Sequence, residues 1–236
     1  RGGAGDAAIY EKMITAERFA NEYRMPLIRL IEGTGGGGSV KSIEADGYTY
    51  VPANPGWDWV VSNMATIPVV SLGLGPVAGL GAARLVSSHY SVIVKKMSQV
   101  FVAGPPVVNR LGETVTKESL GGSEIHGKNG VIDEVADSET DALAKARKFL
   151  SYLPSSTYEI PKRIKNNDPI DRKDNWLISA IPKNRRHSYE IRPIIESVTD
   201  KNSFFEIGKN WGTSSVSGFA RLDGWPIVVL ANDPQV

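Results

Sequence analysis

The stretch that most narrows the fold is Pro68-Val69-Val70-Ser71-Leu72, followed at residues 75–81 by GPVAGLG. The first run has the apolar, β-branched character of a buried strand. The second is a glycine-rich turn of small residues, after which a helix is expected from about Gly79 to Ser87. Tyr90–Val94 is again strand-like. Strand, helix and strand at this spacing make a βαβ arrangement, which places the chain among the α/β layered folds.

The flanking segments extend this pattern. Residues 7–23 carry Ile9, Met13, Ala16, Phe19 and Ala20 at helical spacing, with Asp6 suited to the N-cap. Pro26 ends that helix, PLIRLI at 26–31 reads as a strand, and GTGGGG follows at 33–38. A second helix is expected over Trp57–Thr66, a strand over Val100–Ala103, and a strongly amphipathic helix over Thr140–Tyr152 closed by Leu153-Pro154. Between Ser155 and Pro193 the periodicity collapses among prolines and charges, as in a long linker. A short helix at Ile194–Val198 comes next, then strands Gly218–Leu222 and Ile227–Ala231 joined by Asp223-Gly224, a hairpin signal. The expected organisation is a first domain over 1–154, a linker over 155–193, and the start of a second domain over 194–236. The opening Arg-Gly-Gly and the closing Asp-Pro-Gln-Val read as interruptions, so the chain is expected to be a fragment of something longer.

Bulk properties exclude several functions. With 27 Lys and Arg against 26 Asp and Glu, no chain-wide field attracts nucleic acid or an anionic membrane. Basic residues concentrate only between Lys162 and Arg186. No apolar run approaches the roughly 18 residues of a membrane span. Cysteine is absent, which removes disulfides, thiolate nucleophiles and zinc–thiolate sites, and no secretory segment is visible, so a reducing interior is expected.

The candidate chemistry narrows similarly. GTGGGG lacks the Gly-Lys-Ser/Thr of a P-loop and reads as a plain loop or the lining of a cavity. His89, His126 and His187 do not cluster or fall at metal-ligand spacing, so no metal site is expected; His126, in GGSEIHGKNG, lies in a glycine-rich loop that could border a cleft. Ser71, Ser87 and Ser88 have no nucleophile elbow around them. GPVAGLG has a physical argument of its own. The first N–H groups of a helix lack intrahelical partners, small residues let a ligand approach, and the helix dipole favours negative charge there. Two such groups aimed at one oxygen form an oxyanion hole that can stabilise an enolate. A tight structural bend remains the other reading.

Four segments, GGAGDAAIYEKMITAERFANEYRMPLIRLIE, GPVAGLGAARL, QVFVAGPPVVNRLGETVTKESLGGSEIH and KARKFLSYLPSS, together resemble the carboxyltransferase β subunits of biotin-dependent acyl-CoA carboxylases, of the propionyl-CoA and methylcrotonyl-CoA type. The specific part is the run GPP-x-V, GE-x-V and E-x-LGG-x-x-x-H. The resemblance implies a crotonase-like β-β-α spiral, with most of a first domain and the opening of a second. It implies transfer of a carboxyl group from carboxybiotin to the α-carbon of an acyl-CoA, with biotin N1 taking up the proton, so that the protein supplies oxyanion donors rather than a side-chain base. By motif, the backbone amides of Gly79 and Leu80 would form the first-domain oxyanion pair, with Gly35, Gly36, Gly37, Ala78, Gly81, Gly104 and Pro105 against the substrate. The chain departs from its relatives at Leu80, where they carry glycine, and at Glu32-Gly33-Thr34-Gly35, where they carry Asp-Ser-x-Gly. The implied partners are a biotin carboxylase and biotin carrier subunit and further copies of the chain in a hexamer, in the cytoplasm or mitochondrial matrix; nucleic acid and membrane are not expected. Two alternatives stand beside it: the α subunit of a biotin-dependent acyl-CoA decarboxylase, and a non-catalytic homologue within a carboxylase assembly.

Overall fold

In the computed structural model, residues 7–33, 44–48 and 56–236 are described. They divide into two compact units, one formed by residues up to 146 with 156–158, the other by 147–155 with 159–236. No helix among the described residues is long and apolar enough to cross a membrane.

In the first unit, α1 (Ala7–Glu22) leads into β1 (Leu27–Gly33), and α2 (Trp57–Thr66) into β2 (Val69–Ala78). Then follow α3 (Leu80–Val86), β3 (Tyr90–Val94) and β4 (Gln99–Phe101). Short helices α4 (Pro105–Val108), α5 (Lys117–Gly121) and α6 (Ser123–His126) precede β5 (Glu134–Ala136). The strands form one parallel sheet in the order β1-β2-β3-β5, with β4 also paired to β2. Parallel strands covered on both faces become continuously apolar, and β3 is buried at every position. α3 lays Ala82 and Leu85 on Val77, Ile93, Val100 and Ile132 to make the core.

Two expectations change here. GPVA, read as the first part of a turn, continues β2: Pro76–Ala78 pair with Gln99–Phe101. Pro76 has no N–H to give, and it is tolerated where the partner of β2 on that side changes from β3 to β4. The apolar face assigned to α1 also fails in part, because Ala16 and Phe19 are exposed while Glu17, Ala20 and Asn21 are buried. β1 is inverted in the same sense, with Arg29 inside and Ile28 and Leu30 exposed. Glu17 and Arg29 are the reason: they form a buried bidentate pair, Nε to Oε1 at 2.8 Å and Nη2 to Oε2 at 2.9 Å. Asp6 lies outside the described residues.

The boundary between units falls within α7 (Glu139–Leu150). Its start is capped by Ser138, whose Oγ accepts the Asp141 N–H at 3.1 Å, and Arg147 and Lys148 occupy the last turn, where cations are favoured by the helix dipole. The second unit continues through largely irregular chain with the short α8 (Leu177–Ala180), then α9 (Ile191–Val198). An antiparallel sheet of β6 (Phe205–Ile207), β7 (Ser215–Leu222) and β8 (Trp225–Asn232) completes it. Asp223 (φ 50°) and Gly224 (φ 79°) form the two-residue hairpin expected from Asp-Gly. Asp200 fixes that turn, its carboxylate accepting the Asp223 and Gly224 N–H groups at 2.9 and 2.7 Å. Tyr152 is buried among Phe205 and Phe219, with the Arg221 guanidinium 5.0 Å from its ring centre.

Candidate functional site

All strands of the first sheet run parallel, so their carboxyl ends share one edge, the usual place for ligands in open α/β sheets. Ala78 ends β2 beside Phe101, the last residue of β4, and Gly33 at the end of β1 pairs with Val77. Gly79, Leu80, Gly81, Gly104 and Pro105 therefore all follow strand ends on that edge. Gly35, Gly36 and Gly37, which come next in sequence after β1, lie outside the described residues.

At the turn, Gly79 has φ 58° and ψ −125°, a conformation that side-chain-bearing residues resist. This sharp corner lets an extended strand become a helix within one residue. The first bond of α3 runs from the Ala83 N–H to the Gly79 carbonyl at 3.1 Å. Leu80, Gly81 and Ala82 thus have no intrahelical acceptor for their amides. Ala82 is buried in the core, whereas Leu80 is 47% exposed and Gly81 partly so. Gly81 also lets the helix approach β2, since a Cβ there would stand 3.3 Å from Val77 Cγ1.

The pair drawn from sequence needs one correction. The Gly79 N–H donates to the Phe101 carbonyl at 3.1 Å, prolonging the β2–β4 ladder by one bond, and is not available to a ligand in this arrangement. The outward amides are those of Leu80 and Gly81. Glu32 lies across β2 and is exposed; its Cγ, Cδ and Oε1 would stand 2.7 to 3.0 Å from a Cβ at Gly75, so glycine at 75 is what makes room for it.

The E-x-LGG-x-x-x-H motif proves to be a brace for β4. The Gln99 amide donates to Glu118 Oε2 at 3.1 Å, and a Cβ at Gly121 would overlap the Val100 carbonyl. His126 Nε2–H donates to that same Val100 carbonyl at 2.7 Å, and Asn129 holds its other ring nitrogen at 3.3 Å. His126 is thus a backbone clamp behind Phe101, two bonds removed from the turn. His89 is likewise structural: Nδ1 accepts the Val69 N–H at 3.1 Å and Nε2 donates to the Met64 carbonyl at 3.0 Å, tying α2 to the start of β2. His187 is exposed beside Asn184. Burial, then Glu134 and Asp133, push the Tyr90 phenol far above its ordinary range, which keeps it neutral. The turn therefore offers neutral backbone donors rather than a titrating side chain.

A cavity of about 340 Å³ lies in the second unit, bounded by Asp168, Arg172, Val198, Asp200 and Leu222. It contains none of the candidate site residues drawn from the sequence. Its Asp168 is already engaged by Arg172 and by the Lys201 N–H at 3.1 Å, which hold that carboxyl below the usual range against the opposing effect of burial.

Comparison with known proteins bears on this geometry. The model of the carboxyl transferase domain matches residues 1–236. The mitochondrial propionyl-CoA carboxylase beta chain of Sus scrofa is 35% identical over 178 residues, which is 75% of this chain and 33% of that protein. The methylmalonyl-CoA decarboxylase subunit alpha of Veillonella parvula is 29% identical over 228 residues, 95% of this chain and 44% of that one. Among solved structures, transcarboxylase 12S, a hexamer solved with hydrolysed methylmalonyl-coenzyme A bound, superposes with a TM-score of 0.84 at 24% identity, covering 99% of this chain and 45% of its own. The chain spans a third to under half the length of these relatives. The fold is the crotonase-like one expected from the resemblance. By sequence across its whole length, the chain belongs to the carboxyl transferase domain family.

Proposed function

We propose that this chain is part of a biotin-dependent enzyme that moves a carboxyl group onto the α-carbon of an acyl-CoA, and that the Gly79-Leu80-Gly81 turn supplies oxyanion donors for it. The observation that carries this is the corner at Gly79, which leaves the amides of Leu80 and Gly81 without acceptors among the described residues at the carboxyl edge of the sheet. Two neutral donors fixed before the reaction stabilise charge as it develops on an oxygen, without reorganisation. The oxygen is either the thioester carbonyl becoming an enolate or the ureido oxygen of biotin; the same pair of donors suits both. A carboxylated biotin on a partner would supply the carboxyl group, and its N1, freed as that group leaves, would take up the α-proton. The chain's own task is then to bind, orient and polarise, with Ala78, Gly104 and Pro105 shaping the surroundings.

In this reading residues 1–154 are the N-terminal carboxyltransferase domain, 155–193 a linker and 194–236 the opening of a second domain. The natural partners are a biotin carboxylase with its carrier and further copies of the chain; the hexamer formed by transcarboxylase 12S supports the latter. Mitochondrial relatives support a place in the matrix, and the cytoplasm is the other compartment this chemistry uses. The decisive assay mixes the full-length protein with a carboxylated biotin carrier and a panel of acyl-CoA thioesters. Labelled carboxyl is expected on one short-chain thioester; no transfer to any member overturns the proposal. The match over 95% of the chain to a decarboxylase α subunit favours a second reading, in which methylmalonyl-CoA is the donor and biotin the acceptor. Running the same assay with that thioester and free biotin separates the two.

Leu80 sets the range. Its N–H is retained whatever the side chain, but an exposed isobutyl group stands where the family resemblance implies glycine. Leu80→Gly is expected to raise turnover on longer acyl chains severalfold relative to the shortest, read as kcat/KM across the panel. An unchanged acyl-chain profile sinks that role.

A further inference from the structure

The Glu17–Arg29 pair also reaches the helix that carries the proposed donors. Arg29 is a charged residue within an apolar strand, and its side chain is 5% exposed. Nε and Nη2 close a fork on the two oxygens of Glu17, the strongest geometry an arginine offers a carboxylate. Nη1 points the other way and donates to the carbonyls of Arg84 at 3.1 Å and Ser87 at 2.5 Å. These belong to the last turn and the C-cap of α3, where carbonyls lack intrahelical partners and the helix carries its negative end. Glu17 is itself immobilised by the Asn63 side chain, which donates to Oε2 at 2.8 Å and to the Glu17 carbonyl at 3.1 Å.

α3 has seven residues, so it is about 10 Å long and less than two full turns. Its side-chain packing through Ala82 and Leu85 is apolar and non-directional, which resists removal from the sheet more than sliding along it. Arg84, within the helix, stands 3.9 Å from Glu17 Oε1 and 5.4 Å from the centre of the Trp57 ring, and the directional backbone contacts lie at the two ends. At one end stands the Gly79 corner, tied to Phe101; at the other, the guanidinium of Arg29. A body this short passes a shift of its C-terminus directly to the amides of Leu80 and Gly81.

We infer that Arg29 is a positioning residue for the proposed Leu80–Gly81 donor pair, acting through α3. This rests on reading the turn as an oxyanion site, and a misplacement of about 1 Å at such a site can lower rate a hundredfold.

The test compares Arg29→Lys with Ser91→Ala in the full-length protein. The buried Ser91 hydroxyl donates to Asp133 Oδ2 at 2.8 Å and accepts the Asp133 N–H at 3.1 Å, joining β3 to the segment before β5 and making no hydrogen bond to α3, Glu17, Asn63 or Arg29, so its loss reports destabilisation alone. With propionyl-CoA and a carboxylated biotin carrier, well below the melting temperature of either variant, Arg29→Lys is expected to lower kcat about tenfold or more with KM within about threefold. Ser91→Ala is expected to leave both within about twofold. Equal effects in the two variants, or a loss confined to KM in Arg29→Lys, overturn the assignment. A second measurement needs neither variant nor activity. In the wild-type protein, the amides of Ala83 and Ser87 should exchange with solvent as slowly as those of β1, because the grip makes helix and strand open together. Exchange about a hundredfold faster at both amides means α3 is not held, and overturns the inference. If instead the wild-type protein transfers carboxyl to no thioester while those amides stay protected, it is the functional reading that fails and the grip that stands.

Discussion

Each unit is built around a buried arginine, and the two are satisfied by different partners. Arg29 in the parallel sheet meets a carboxylate, Glu17, and two carbonyls. Arg221 in the antiparallel sheet meets carbonyls only, those of Gly224 at 2.8 Å, Ser151 at 2.6 Å and Lys162 at 3.4 Å, while its guanidinium lies over Tyr152. The first arrangement ties the fold to an ion pair whose members cannot be removed singly. The second disperses one positive charge over dipoles and a ring face, so its loss leaves no opposite charge stranded. The sheets differ in the same way. β3 is buried on both faces, whereas β7 alternates and β8 is largely open, so a polar insertion in the first unit must be fully paired while the second has water within reach.

The largest effect should come from breaking that contrast at its centre. Arg29→Met leaves the buried Glu17 with only the Asn63 amide and the more distant Arg84, whose Nε stands 3.9 Å from Oε1, and is expected to cost up to about 3–5 kcal/mol. Arg221→Met, whose thioether can stay against Tyr152, should cost about 1–3 kcal/mol from carbonyls left without donors. Urea unfolding of each variant, with hydrogen exchange to assign the loss to its unit, checks the order. A greater loss at Arg221 would mean that the carboxylate is not what distinguishes them.

The next effect compares the two positions of the Asp223-Gly224 turn. Gly224→Ala forces a side chain into φ 79° and against the Ile164 carbonyl, and about 1–3 kcal/mol should be lost from the second unit. Asp223→Gly, at φ 50°, should change stability by less, since Asp tolerates the left-handed region. The same unfolding measurement tests this; similar losses at both positions would show that the turn is held by Asp200 rather than by its own conformation.

The smallest effect concerns acid. A hydrogen bond from Arg192, then one from the Gln235 N–H, hold the Asp233 carboxyl below the usual aspartate range, against the opposing effect of burial. A carboxyl depressed on folding contributes stability that is present above its unfolded pKa and disappears as pH falls through the folded one. Asp233→Asn should therefore flatten the acid limb of stability against pH for the second unit and leave the first unit's limb alone. A curve of unchanged steepness would place the acid sensitivity elsewhere.

Much of the fold was legible because it is locally encoded. Trp57–Thr66 and Tyr90–Val94 emerge with the bounds their periodicity predicts, and Asp-Gly marks its hairpin. What was not legible depends on residues distant in sequence. GPVA reads as a turn until β4 pairs with it. Glu17 reads as solvent-facing until Arg29 arrives to neutralise it, although Met13, Glu17 and Asn21 at i, i+4 and i+8 share a stripe that could have drawn attention. For the candidate site, the turn was visible as a pattern of small residues, but backbone donors carry no letter. That the Gly79 amide is engaged, while the Gly81 amide has no acceptor among the described residues, follows from the position of Phe101, which no local window contains.

The pairing of β1 with β2 also orders events in time. Leu27 meets Val69 and Val92 meets Glu134, about forty residues further on, and even Val70 meets Tyr90 only after about twenty, whereas Leu222 meets Trp225 across a two-residue turn. On a growing chain the hairpin can close almost as soon as it is made. The parallel sheet cannot, and through that interval Arg29 and Glu17 remain hydrated and apart. Desolvating them together is then a late step, and the amides of Leu80 and Gly81 reach their final places only once it is complete.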